Sequence, residues 1–129
     1  MILLDTHVLI WMASEPKRLS KRAREAILEA RRKTGVAVAT ITLWELAWLA
    51  ENGRIQVSGS VESFVRETVA RVILKPMTPE IAALAVRLPA GFPKDPADRL
   101  IASTAIVESV PLVTADTRIR RAKVVRTLW

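Results

Sequence analysis

Short apolar runs separated by segments of helical periodicity leave this chain little choice of architecture. Residues 1–5, residues 36–39 and the run Pro111-Leu112-Val113-Thr114 have the length and composition of buried strands. Val72-Ile73-Leu74 and Val124-Val125-Arg126 predict two more. Helical patterns fill the intervals. Thr6 to Ala13 reads as a helix broken by Ser14-Glu15-Pro16, and Leu19, Ala23, Ala26, Ile27 and Ala30 mark an amphipathic helix over 19–34 that Gly35 stops. Thr42-Leu43-Trp44-Glu45 opens a helix that Asn52-Gly53 ends. Ser60 caps one bearing Val61, Phe64, Val65, Val69 and Val72. Thr78-Pro79 and Asp95-Pro96 are cap-then-proline starts for two further helices, and residues 117–122 make a short basic turn. Strands alternating with helices give an α/β fold, a mostly parallel sheet of four or five strands flanked by helices. At 129 residues this is one domain over 1–129, with enough apolar residues (50%) for a sizeable core.

Charge and composition narrow the function classes. No apolar run approaches the ~20 residues of a membrane span, and the opening residues lack the basic region of a signal peptide. Cysteine is absent, which removes disulfides and thiolate metal sites. A cytoplasmic location follows from these features. The net charge is +7, the pI is about 10.8, and arginine outnumbers lysine 14 to 6. A basic surface rich in guanidinium forks suits a polyanion such as nucleic acid, although a solvated surface needs no partner.

Against that basic background the chain has only four aspartates, Asp5, Asp95, Asp98 and Asp116. In an open parallel sheet, ligands bind outside the carboxyl ends of the strands. Asp5 ends the first strand, Glu45 lies about one helical turn past the second, and Asp116 follows the Leu112-Val113-Thr114 strand. Asp98 lies in the first turn of the helix preceding that strand. All four can face one edge. Each also has a purely structural explanation. Asp5, Asp95 and Asp116 can cap helices, Asp98 at the third helical position favours the dipole, and Thr42-x-x-Glu45 fits a capping box. Carboxylates that converge repel one another unless a cation lies between them, and an all-oxygen donor set selects Mg²⁺ or Mn²⁺. His7 is the sole histidine and reads as structural, which leaves zinc without a ligand set. Such a site can activate water against a phosphodiester. Arg99, Arg118, Arg120 and Arg121 are the cations near it, and Arg99, adjacent to Asp98, is the expected first contact with the polyanion.

The ordered motifs resemble those of PIN-domain ribonucleases, in particular the VapC-type toxins of toxin–antitoxin pairs. The residues are Ile2-Leu3-Leu4-Asp5-Thr6-His7-Val8-Leu9-Ile10-Trp11, Trp44-Glu45-Leu46, Asp95-Pro96-Ala97-Asp98-Arg99-Leu100-Ile101-Ala102-Ser103-Thr104-Ala105 and Leu112-Val113-Thr114-Ala115-Asp116. The resemblance implies a PIN-like three-layer fold. It implies that Asp5, Glu45, Asp98 and Asp116 are catalytic and bind one or two Mg²⁺ or Mn²⁺ ions, with Thr6 and Thr114 as supporting hydroxyls. It also implies cleavage of single-stranded RNA, a homodimer, and an antitoxin partner. Pro93 and Ala97 depart from the His-x-Asp-Pro-Phe-Asp-Arg form common in this subgroup.

Two other readings compete. A non-catalytic PIN-like RNA-binding or regulatory domain shares the fold and the charge. A response-regulator receiver does not fit, because no second acid follows Asp5 directly and no aspartate occurs between positions 5 and 95. Trp11, Trp44 and Trp48 are either core residues or a groove along the first and third helices in which an antitoxin helix docks.

Overall fold

In the computed structural model, which describes residues 1–129, the chain runs β1 (Ile2–Leu4), α1 (Thr6–Ser14), α2 (Lys21–Lys33), β2 (Val36–Ala39), α3 (Ile41–Glu51), α4 (Val61–Thr68), β3 (Ile73–Lys75), α5 (Pro79–Arg87), α6 (Pro96–Val107), β4 (Leu112–Val113), α7 (Thr117–Ala122) and β5 (Thr127–Leu128). A 3₁₀ turn over Pro16–Arg18 joins α1 to α2. The sheet has five strands in the order β3-β2-β1-β4-β5. Every neighbouring pair is parallel, so the expected α/β architecture is the one observed.

The pleat sorts the strand residues onto two cores. Ile2, Leu4, Val36 and Val38 face α1, α2 and Leu46 of α3. Leu3, Ala37, Ala39 and Leu112 face Leu88, Phe92, α6 and Ile119. A strand covered on both faces has no polar side, which is why β1, β2 and β4 read as unbroken apolar runs rather than alternating ones. Gly35 ends α2 with φ +103, and an added Cβ there would meet the Ile73 Cδ1 at 2.8 Å. The left-handed cap and the close approach of β3 both require glycine.

Three local expectations shift. The helix over Val61 stops at Thr68 instead of reaching Val72, because residues 69–72 form the turn that delivers Ile73 to the edge of β2. The last strand lies at Thr127–Leu128 rather than at 124–126. Lys123 takes a left-handed φ of 55 after α7 and Val125 turns into the core, so the chain only then falls into register beside β4. The helix over Trp44 begins at Ile41, with Thr40 in the cap position and no side-chain cap bond. No helix is long and apolar enough to cross a membrane.

Candidate active site

The strand order creates the crevice. From β1 the chain moves outward through β2 to β3, then crosses back to place β4 on the other side of β1. The connections leaving the carboxyl ends of β1 and β4 therefore diverge, the switch point at which an open parallel sheet forms its ligand crevice. Asp5 follows β1 directly and Asp116 follows β4 by three residues. Glu45 enters from α3 and Asp98 from the first turn of α6.

Hydroxyls and backbone amides hold these acids in place. Asp5 is 4% exposed. Its Oδ1 accepts the Thr6 N–H at 2.8 Å and its Oδ2 accepts the Thr114 hydroxyl at 2.7 Å. Thr114 in turn accepts the Asp116 N–H at 3.1 Å. One buried hydroxyl thus joins the acidic segments behind β1 and β4. The Thr6 hydroxyl donates to Glu45 Oε1 at 2.5 Å and lies 2.9 Å from the buried Thr42 hydroxyl. Thr6 and Thr114 accordingly stand behind the acids as supports.

The capping explanations are true as well. Asp95 Oδ1 accepts the Ala97 and Asp98 N–H groups at 2.8 and 3.3 Å. Asp116 Oδ1 accepts those of Arg118 and Ile119 at 2.8 and 3.3 Å. Capping consumes lone pairs of Asp95 and Asp116 and none of Asp98, whose carboxyl is left to the crevice. The capping box at Thr42-x-x-Glu45 is the exception. Thr42 lies inside α3, and the Glu45 carboxylate reaches the Thr6 side chain instead.

The crevice is electrostatically strained. Burial, followed by the charges of Asp5, Asp95, Asp116 and Glu45, pushes the Asp98 carboxyl up to about 7. Burial, with Asp5 and Asp95 adding to it, raises Glu45 against the opposing Thr6 hydrogen bond. Asp116 moves the other way. Partial burial raises it, but the Arg118 side chain and two backbone amides together hold it below the ordinary carboxylate range. Arg118 is the cation of the cluster, with Nη2 3.0 Å from Asp116 Oδ2 and 3.8 Å from Asp98 Oδ2. In this arrangement no three Asp, Glu or His side chains stand at the mutual spacing of a closed metal-ligand set. The donor types nevertheless fit a hard divalent cation, and the cost of ionising Asp98 among its neighbours is what such a cation relieves.

Two residues have roles the sequence did not show. Arg99, the expected first RNA contact, commits all five N–H donors to backbone carbonyls. Nε donates to Pro93 at 3.0 Å, Nη1 to Ala85 and Leu88 at 3.2 and 3.0 Å, and Nη2 to Pro89 and Phe92 at 3.3 and 3.4 Å. It closes the end of α5 and clamps the loop to α6, with no donor left for a phosphate. Arg118 therefore stands as the one arginine paired with the crevice acids. His7 accepts the Ala115 N–H on Nε2 at 3.3 Å, and its Nδ1 lies 3.6 Å from Asp5 Oδ2. It links the β1 and β4 ends as Thr114 does, both side chains reaching Asp5 Oδ2. Its position two residues after Asp5 was the only sequence signal for this.

Trp11 packs on His7 and Trp129 at centroid distances of 4.8 and 5.9 Å, with the Arg18 guanidinium 4.1 Å above its ring. Trp44 and Trp48 are 59% and 42% exposed. Beside them on α3, Leu43 and Ala47 line a groove of about 570 Å³ with Val61, Val65 and Val69 of and after α4, and Leu74 of β3.

Comparison with known proteins gives the family. The family model described as "PIN domain" matches residues 2–125. Ribonuclease VapC22 of Mycobacterium tuberculosis is 47% identical over 130 residues, covering 99% of this chain and 98% of that protein. Among solved structures, VapBC2 of Rickettsia felis bound to a promoter DNA fragment superposes with a TM-score of 0.74 at 19% identity, over 98% of this chain and 97% of that one. FitAcB of Neisseria gonorrhoeae gives 0.62 at 26% identity, over 98% and 96%. The chain belongs to the PIN-domain family, as a relative of the VapC-type toxins.

Proposed function

We propose that this chain is a Mg²⁺- or Mn²⁺-dependent endoribonuclease, the toxin half of a toxin–antitoxin pair. The observation that carries the reading is the convergence of Asp5, Glu45, Asp98 and Asp116 on the crevice between β1 and β4, with the Asp98 carboxyl driven up to about 7 by burial and by the neighbouring carboxylates. Asp5, Glu45, Asp98 and Asp116 would hold the divalent ion, which would supply a water nucleophile at neutral pH and offset charge on the phosphodiester. The chain's own residues do the rest. Thr6 and Thr114 fix the Glu45 and Asp5 oxygens, and His7 and Thr114 hold the Ala115-Asp116 backbone against β1. Arg118 is the substrate-facing cation. Identity to a protein named a ribonuclease over nearly the whole of both chains supports the activity.

Two partners follow from the same reading. Solved neighbours include a toxin–antitoxin complex from Klebsiella pneumoniae with a TM-score of 0.63 at 22% identity. The apolar groove between α3 and α4, flanked by exposed Trp44 and Trp48, suits an amphipathic antitoxin helix, and a homodimer is what the resemblance to the VapC-type toxins implies. A second reading, an RNA-binding module without turnover, is favoured by the open spacing of the acids and by Arg118 lying across two of them.

Incubation of the purified chain with a single-stranded RNA in Mg²⁺ separates the two. Cleavage that stops with chelator and with Asp5→Asn supports the nuclease. RNA retention without cleavage under any divalent ion supports the binding module. Cleavage undiminished by Asp5→Asn removes the site assignment.

A further inference from the structure

Arg118 occupies the place a cation should. Its Nη2 reaches both Asp116 Oδ2 and Asp98 Oδ2 at 3.0 and 3.8 Å, its Nε lies 3.4 Å from Asp116 Oδ1, and its own backbone N–H caps that same oxygen at 2.8 Å. The backbone tether keeps Arg118 beside the acids whatever its side chain does. The side chain itself is 67% exposed, and exposed ion pairs are weak and readily exchanged. Asp98 and Asp116 are also two of the four acids that, on the reading above, turn to a divalent ion. A carboxylate paired with a guanidinium fork has fewer oxygens to offer a metal.

We propose that Arg118 is an exchangeable counter-cation: it neutralises Asp98 and Asp116 while the crevice lacks metal, and is released to an RNA phosphate when the divalent ion takes those acids. The inference rests on the metal-site reading and goes beyond it. RNA binding through Arg118 becomes conditional on metal, so the unloaded protein does not engage RNA through this residue. The two steps help each other. Metal frees the guanidinium, and a phosphate that holds the guanidinium away from the acids favours metal by the same factor. The planar fork suits phosphate as well as carboxylate, which lets one side chain serve both partners.

The test measures Mn²⁺ affinity by calorimetry and the affinity of a fluorescent single-stranded oligoribonucleotide by anisotropy. RNA binding is followed with chelator and with Ca²⁺, the oligonucleotide being checked as intact on a gel. Arg118→Ala is expected to tighten Mn²⁺ about two- to fivefold, the range set by loss of an exposed competing pair. The same variant should weaken RNA about five- to tenfold in Ca²⁺, with a salt slope smaller by about one, and by less than twofold in chelator. Arg118→Lys keeps the charge without the fork and should fall between. An equal RNA defect with and without metal, or Mn²⁺ affinity that is unchanged or weaker, overturns the exchange. Asp98→Asn is the control that distinguishes the failures. If it binds Mn²⁺ like the wild type, the metal-site reading falls. If it loses Mn²⁺ while Arg118→Ala shows no tightening, the exchange alone falls.

Discussion

Replacing Asp98 with asparagine should stabilise the metal-free protein while abolishing its metal response. Burial and four neighbouring acids move the Asp98 carboxyl from 3.8 to about 7, roughly three pH units, or about 4 kcal/mol against the ionised form at ~1.4 kcal/mol per unit. The side chain is 16% exposed beside the exposed Arg118, so screening cuts this to about half, ~2 kcal/mol. The sign follows from linkage. Between pH 4 and 7 the folded state binds the Asp98 proton more tightly than the unfolded chain does, so wild-type stability falls across that window and levels off above it. Asn is neutral throughout and of the same shape. For 129 residues the unfolding entropy is roughly 0.27 kcal/mol/K, and ~2 kcal/mol corresponds to a Tm gain of about 7 °C at pH 8, smaller at pH 5. Calorimetric melting in chelator at the two pH values measures this. Addition of Mg²⁺ should then raise the wild-type Tm and leave the variant unmoved. A variant that melts at or below the wild type at pH 8, or a gain independent of pH, refutes the account of a carboxylate cluster held together against its own repulsion.

Arg99→Ala should cost about 3 kcal/mol by urea unfolding, since five carbonyls lose a charged donor, and should weaken RNA binding no more than twofold per folded molecule. A stable variant with a large RNA defect would return Arg99 to the substrate. Thr114→Val removes a fully buried hydroxyl serving Asp5 and the Asp116 amide. It should lower stability by about 2 kcal/mol and weaken Mn²⁺ binding at least tenfold in calorimetry; unaltered Mn²⁺ affinity would make the hydroxyl purely structural. His7 is the only histidine, so its ring nitrogens can be assigned unambiguously by ¹⁵N NMR. Because Nε2 accepts the Ala115 N–H, the neutral ring should carry its proton on Nδ1, and a spectrum of the Nε2–H tautomer would show that this link does not form.

The sequence by itself determined the parts whose physics is local. Apolar runs too short for helices, helical spacing between them, and cap-then-proline starts at Thr78-Pro79 and Asp95-Pro96 placed β1, β2, β4, α5 and α6. Parallel connectivity then put Asp5, Glu45, Asp98 and Asp116 at one sheet edge, and Asp95 could be separated from Asp98 because a residue before proline at a helix start is a cap. Tertiary structure decided everything that depends on partners far along the chain. Register against β4 moved the last strand to Thr127–Leu128. Contact across 36 residues turned Thr42 from a cap into a buried partner of Thr6. Arg99 and Arg118 look alike in sequence, each close after an acid. Only the fold surrounds the first with carbonyl oxygens and leaves the second facing carboxylates, because a guanidinium takes its role from the acceptors around it and those acceptors come from other segments of the chain.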